Sequence, residues 1–218
     1  MNNDLIYQLA LTQVPQIGCV HAHLLSQEFG TAEAIFKAKK SVLEKIEGIG
    51  AVRAASIKSF EHFAAQETEV KFIEQYKIQP LFLTDEAYPK RLKHCYDPPT
   101  LLFYKGAADL NASKVISIIG TRSNTEYGKQ MVETILEDLR PLQPLVVSGL
   151  AFGIDALAHK ASIRKTLPTV GVLAHGLDTV YPSQHTSLAK EMIAAGGGLL
   201  TEFRSGTKPD KHHFPTRN

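Results

Sequence analysis

The sequence predicts an α/β protein in which a doubly wound sheet follows a small all-α domain, and three observations carry that prediction. From about Asp4 to Gln75 the apolar residues recur at three- and four-residue spacing, the period of short helices. After Lys77 the texture changes to short apolar runs separated by Pro and Asp. From Lys114 onward, β-branched runs bounded by glycine alternate with helical patterns, the rhythm of parallel strands joined by helices. A boundary near Tyr76 divides the chain into a helical domain over 1–76 and a sheet domain over 77–218. At 218 residues and 44% hydrophobic composition there is material for a sizeable core.

In the first domain, Leu5, Leu9 and Leu11, then Ala34, Ile35, Val42, Leu43 and Ile46, mark helix faces punctuated by Gly18, Gly30, Gly48 and Gly50. The stretch from Leu43 to Ile57 reads as two short helices joined by Gly48-Ile49-Gly50, which resembles a helix-hairpin-helix motif of a SAM-like domain. Glycine there permits positive φ and lets backbone N–H groups approach a phosphate, while Ile49 anchors the turn. Val14-Pro15-Gln16-Ile17-Gly18 looks like a degenerate first copy. Cations near the hairpin are few, Arg53 foremost, so packing is expected to be its role ahead of DNA contact. Gly48-x-Gly50 is not read as a dinucleotide fingerprint, because a helix and not a strand precedes it.

In the second domain, strands are expected over 80–83, 101–104, 115–119, 145–147, 169–173 and 198–201, with helices over 126–139, 154–164 and 186–195. Three of the strands end in glycine-containing loops, at Gly120, Gly149 and Gly176, and ligands of such sheets gather at the carboxyl ends of strands.

Charge is informative by its placement. The net charge is only +2, but residues 1–110 hold 12 basic and 13 acidic side chains against 12 and 9 in residues 111–218. From Arg204 onward the basic residues Arg204, Lys208, Lys211 and Arg217 face a lone acid, Asp210, with His212 and His213 beside them. An anion is favoured there. Cys19 and Cys95 stand far apart without a metal-ligand spacing, so neither a zinc site nor a disulfide framework is expected. The amino terminus has no basic n-region and no apolar run has membrane-spanning length, which with the cysteine usage points to the cytoplasm.

Four constellations carry the chemistry: Ile118-Ile119-Gly120-Thr121-Arg122; Ser148-Gly149-Leu150-Ala151-Phe152-Gly153-Ile154-Asp155 with Ala158-His159; Val172 to Asp178 with Tyr181-Pro182; and His213-Phe214-Pro215-Thr216-Arg217-Asn218. Arg122 follows a Gly-x turn and supplies a bidentate fork for a phosphate, and Phe214 offers a face on which a base can stack. Asp155 and Asp178 lie near helix starts and read as caps, and His159 has no Ser or Cys to pair with, so no catalytic residue is assigned.

Together, in this order and spacing, the constellations resemble the DNA-processing protein A (DprA, or Smf) family of bacteria, strongly from about Pro80 onward and more loosely before it. The resemblance implies an extended Rossmann-like domain that is not an enzyme and needs no cofactor or metal. It implies binding of single-stranded DNA, protection of incoming strands and help in loading a RecA-type recombinase during natural transformation. It places DNA contacts on Gly120, Arg122, Ser148, Gly149, Gly176, Lys211, Phe214 and Arg217, and it implies a homodimer for the full-length protein. The chain departs from the family at His175, where a small residue is frequent, and at His185, where Asn is. Because the family's last motif runs on into further strands, the sheet domain is expected to be incomplete at its C-terminus. Two rival readings stand beside it: a duplex-DNA repair module working through the hairpin and, the stronger, a Rossmann-like phosphoribohydrolase, suggested by Ala195-Gly196-Gly197-Gly198-Leu199-Leu200-Thr201-Glu202. Its glycines should open a helix, whereas Leu199-Leu200-Thr201 reads as a strand. A nucleotide-driven motor is excluded by the lack of a GxxxxGK[ST] loop.

Overall fold

The structure, a computed structural model, describes residues 3–217. The chain forms two compact units, residues 1–102 and 103–218. In the first unit the helices are α1 (Asn3–Leu11), α2 (Cys19–Phe29), α3 (Ala32–Lys37), α4 (Lys40–Leu43), α5 (Gly50–Lys58) and α6 (Phe63–Gln75). Strand β1 (Gln79–Phe82), the single turn α7 (Lys90–Lys93) and the opening of β2 (Leu101–Gly106) complete it. Leu9, Ile35 and Leu43, at positions the helical spacing marks, are wholly buried, as are Leu25, Ile49 and Ile57, whereas Val42, marked by the same spacing, is exposed. Tyr7, Phe36, Phe60 and Phe63 meet as tilted and edge-on rings with centroids 5.3–6.0 Å apart.

The hairpin between α4 and α5 has Gly48 at φ +84° and Gly50 at φ +63°, a conformation that costs any residue with a Cβ. Arg53 closes it from the side, donating to the Gln16 carbonyl (3.2 Å) and the Gly48 carbonyl (3.1 Å). Its guanidinium thus joins the hairpin to the α1–α2 connection, the segment the sequence marks as a degenerate copy.

The second unit contains β3 (Val115–Ser117), α8 (Glu126–Leu139), β4 (Leu145–Ser148), α9 (Ile154–Arg164), β5 (Thr169–Val172), α10 (Thr186–Ala194), β6 (Gly198–Thr201) and α11 (His213–Arg217). Its strands lie in the order β2-β6-β5-β4-β3. From β3 to β6 they are parallel, with Val115 opposite Leu145, Val146 opposite Thr169 and Val170 opposite Gly198. β2 runs antiparallel to β6, pairing Phe103 with Thr201 and Gly106 with Gly198. Glycine at 106 and 198 makes room for Tyr104, whose ring lies 2.5 Å from where a Cβ of Gly198 would stand. Burial pushes the Tyr104 hydroxyl up to about 12, and it donates to the Ala108 carbonyl.

Two cores hold the helices on the sheet. One joins Val132 and Leu136 of α8 to Val146 and to Ala158 and Ala161 of α9, the small side chains letting α9 approach closely. The other joins Leu150, Ala156, Leu173, Leu188, Met192 and Leu199. His159 is buried between them with Nδ1 2.7 Å from Thr169 Oγ1, and burial pushes its pKa down to about 3. It is a neutral core histidine, and the Thr169 hydroxyl it meets also donates to the Val146 carbonyl inside the sheet.

Candidate nucleic-acid interface

Three parallel strands, β3, β4 and β5, end in loops that frame a cavity of about 590 Å³. Gly120, Arg122, Ser148, Gly149 and Arg217, all expected site residues, line it together with Asp155. The loops are built by close approach. A Cβ on Gly120 would stand 2.7 Å from Cγ1 of Ile154, the first residue of α9, so this glycine is the seat of that helix. Gly153 lies at φ +78° with its would-be Cβ 2.1 Å from the Thr121 carbonyl oxygen, and the Ile154 N–H donates to that same carbonyl. The loops after β3 and β4 are thereby clasped, with Arg122 at the lip.

The loop after β4 contains a strained residue. Leu150 adopts φ +68°, a left-handed conformation that costs an L-residue about 1–2 kcal/mol. Three contacts hold it. Its side chain is fully buried, its carbonyl lies 2.8 Å from His185 Nδ1, and Asp155 Oδ2 accepts from the N–H groups on either side, Gly149 (3.2 Å) and Ala151 (3.3 Å). Asp155 is therefore not the helix cap its position suggests. It sits inside α9 and turns back to clamp the preceding loop. Asp178 departs from the capping expectation too: its Oδ1 accepts from the Gly206 N–H, joining the loop after β5 to the segment after β6. Ser148 donates its hydroxyl to the Ile118 carbonyl at 2.6 Å, so it ties β4 to the end of β3.

Arg217 reaches back from α11, is half-buried, and donates through Nη1 to the Val172 carbonyl at 2.9 Å. Burial depresses its pKa, with the charge of Arg122 adding to that effect and Asp155 opposing it. Gly149 exists to admit this pair. A Cβ there would lie 2.7 Å from Asp155 Oδ2 and 2.8 Å from Arg217 Nη1.

Beside the large cavity is a hollow of about 120 Å³, walled by Arg122, Phe152, Tyr181, Phe214 and Arg217. The Arg122 guanidinium is 5.9 Å from the Phe214 ring centroid, and among the described residues it makes no hydrogen bond or ion pair. The Phe214 and Tyr181 rings are 6.1 Å apart, and Phe152 stands edge-on to His185 at 4.9 Å. Phe214 is only partly buried and belongs to neither core. Gly176 lies outside both cavities; its N–H donates to the Thr207 carbonyl, and a Cβ there would stand 2.4 Å from the Arg204 carbonyl oxygen. Lys211 is exposed, ahead of α11, and also outside the lining. Phe152 and Tyr181 wall the hollow although neither is among the residues on which the resemblance places DNA contacts, and Asp155, read as a cap, serves as a clamp instead. Among the described residues no group of three or more His, Cys, Asp or Glu side chains is placed to hold a metal, and no helix is long and apolar enough to cross a membrane.

Residues 79–218 match the family described as DNA recombination-mediator protein A. The chain belongs to that family. Residues 6–70 match a helix-hairpin-helix motif, in accord with the hairpin of the first unit. The chain is 36% identical to the Smf protein of Synechocystis, over all of this chain and 55% of that protein. It is 42% identical to the DNA processing protein DprA of Bacillus subtilis, over 65% of this chain and 48% of that protein. The chain thus spans about half the length of the curated relatives it matches. Among solved structures, DNA processing protein A of Streptococcus pneumoniae superposes with a TM-score of 0.74 at 27% identity, covering 100% of this chain and 73% of the other. That of Helicobacter pylori, solved for its single-stranded DNA binding mode, superposes with a TM-score of 0.56 at 30% identity, covering 65% and 62%. The extended Rossmann-like fold and the helical domain ahead of it are those of this family.

Proposed function

We propose that this protein binds single-stranded DNA in the cleft formed by Arg122, Phe152, Tyr181, Phe214 and Arg217, acting as a carrier and not as a catalyst. The observation that carries this reading is the pairing of two guanidinium groups with three aromatic side chains around a small hollow, on backbone loops held rigid from behind. Arginine forks suit phosphates, and ring faces suit unstacked bases, each stack contributing about 1–3 kcal/mol without sequence preference. A duplex hides its base faces. Gly120 and Gly149 allow the backbone to approach, Ser148 and Gly176 fix the loops, and Lys211 adds a cation on the path to α11.

In the cell, this activity protects incoming strands and helps load a RecA-type recombinase during natural transformation in the cytoplasm. The full-length protein works as a homodimer. Support comes from membership of the recombination-mediator family and from the Helicobacter pylori relative described as binding single strands.

The test compares labelled oligo-dT, a duplex of equal length, and AMP. The reading requires tight binding of oligo-dT without metal or ATP, weaker binding of duplex, and no turnover of AMP. Equal affinity for duplex moves the interface to the hairpin unit. Release of adenine from AMP establishes the phosphoribohydrolase instead, although Gly198–Thr201 forms the wholly buried strand β6, where that chemistry requires a helix start.

A further inference from the structure

The aromatic hollow has a larger neighbour to which the proposed function gives no ligand of its own. The two cavities share a wall made of Arg122, Gly149, Ala151 and Arg217. Away from that wall their linings differ in kind. The rings of Phe152, Tyr181 and Phe214 belong to the hollow, whereas Ile119, Val147, Val172 and the Asp155 carboxylate belong to the large cavity. Val147 pairs in register with Ser117 of β3, and strand alternation turns both away from the face on which Val146 meets α8 and α9. The large cavity therefore has a partly apolar sheet face for its floor, and its volume of about 590 Å³ is in the range of sites that enclose a small molecule. At its rim Ile119 is 78% exposed and belongs to neither of the two cores.

We propose that the large cavity is a second base subsite, so that the protein holds one dinucleotide step of a single strand. One base lies among the rings of the hollow, the linking phosphate lies against Arg122 and Arg217, and the neighbouring base lies on the sheet floor with Ile119 against it. The inference rests on the proposed function and deepens it. Charge sorts the parts. A phosphate inside the large cavity would face the Asp155 carboxylate, whereas at the shared wall it meets two guanidinium groups. A base has no net charge, an apolar face to lay on valine, and edge N–H groups for which carboxylate and hydroxyl oxygens are acceptors. Consecutive bases flank a single phosphate, and two spaces on either side of one arginine wall reproduce that order. Isoleucine is among the apolar side chains that proteins set against unstacked bases, and a base here removes from water the surface that Ile119 exposes in the free protein.

Competition against labelled oligo-dT on the full chain reads the two subsites. The dinucleotide d(TpT) displaces it at concentrations at least about fivefold lower than thymidine monophosphate does, the least that one further base contact contributes, and d(TpT) made abasic at either position loses that advantage. Ile119→Ser weakens oligo-dT binding by about fivefold to tenfold, the worth of partly burying an isoleucine side chain. Its melting temperature stays put because the residue is exposed, and its slope of log affinity against log salt stays put because no phosphate contact is lost. Ile119→Leu restores the affinity. The variants also separate the bases: Ile119→Ser abolishes the penalty for removing one base of d(TpT), and Phe214→Ala abolishes the penalty for removing the other. A d(TpT) no better than the mononucleotide, an unchanged affinity or a lowered salt slope in Ile119→Ser, or both variants silencing the same base overturns the inference and leaves the proposed function standing. Failure of wild type to bind oligo-dT removes both.

Discussion

Gly48 and Gly50 in the hairpin of the helical unit have positive φ and room to spare, the nearest atom to a Cβ at Gly48 being Leu24 Cδ2 at 3.7 Å. Gly120, Gly149 and Gly176 in the loops of the sheet have no unusual φ and no room at all, with obstacles at 2.4–2.7 Å. The arginines divide in the same way. Arg53 spends its donors on two backbone carbonyls of its own unit, whereas Arg122 keeps its fork open over Phe214. One region uses glycine to complete its own turn and arginine to hold it. The other uses glycine to admit a neighbour and leaves an arginine for a partner. The same residue types therefore distinguish scaffold from interface only once their surroundings are known.

The comparison can be broken by substitution. Gly153→Ala meets both a positive φ and the Thr121 carbonyl at 2.1 Å, so urea unfolding of the second unit should show a loss of about 2–5 kcal/mol, the sum of a left-handed penalty and overpacking. Gly50→Ala, with the φ penalty alone, should cost about 1–2 kcal/mol and leave oligo-dT binding unchanged. Equal losses at the two positions would erase the distinction.

Phe214→Ala should weaken oligo-dT binding by about 1–3 kcal/mol with little change in melting temperature. A drop in stability of about 3–5 kcal/mol would return the ring to the core.

Acid tests the core apart from the site. Because His159 has a folded pKa of about 3, far below the unfolded 6.5, the unfolded chain binds the extra proton. Stability is therefore full above pH 6.5 and declines as pH falls toward 3, by about 2 kcal/mol at pH 5. His159→Phe should flatten that part of the urea midpoint's pH profile.

The smallest effect is the most discriminating. Arg122→Ala should lower the slope of log affinity against log salt by about 0.7, one phosphate contact on a single strand, with melting temperature unchanged. Arg53→Ala should do the reverse, lowering melting temperature and keeping the slope. An unchanged slope in Arg122→Ala would remove that residue from the interface.

Much of the architecture was legible in the sequence because it depends on period and punctuation. Helix α8 over 126–139 and α9 over 154–164 fall where apolar spacing places them, and β6 over 198–201 confirms the strand reading of Leu199-Leu200-Thr201. Where the reading slipped, the missing information was tertiary. The strand expected to reach Ile119 ends at Ser117, and Ile119 is 78% exposed, since a β-branched apolar run looks the same inside a sheet and at a cavity rim. The antiparallel direction of β2 has no local signature either. The role of Asp155 was hidden for a sharper reason. Its N–H partners come within reach only because Leu150, a residue with no sequence mark of it, turns left-handed. Phe152 was missed as a wall of the cleft because an aromatic after a Gly-rich turn carries no sign of which way it faces.

The clamp formed by Asp155 has a consequence for kinetics. A loop already held in its working shape has little conformational freedom left to surrender when a ligand arrives, so the encounter is not delayed by rearrangement. Variants that leave the clamp intact should differ mainly in how long a strand stays bound. Asp155→Asn, which weakens the clamp while keeping its shape, should instead slow association, since each arriving strand must then wait for the loop to assemble.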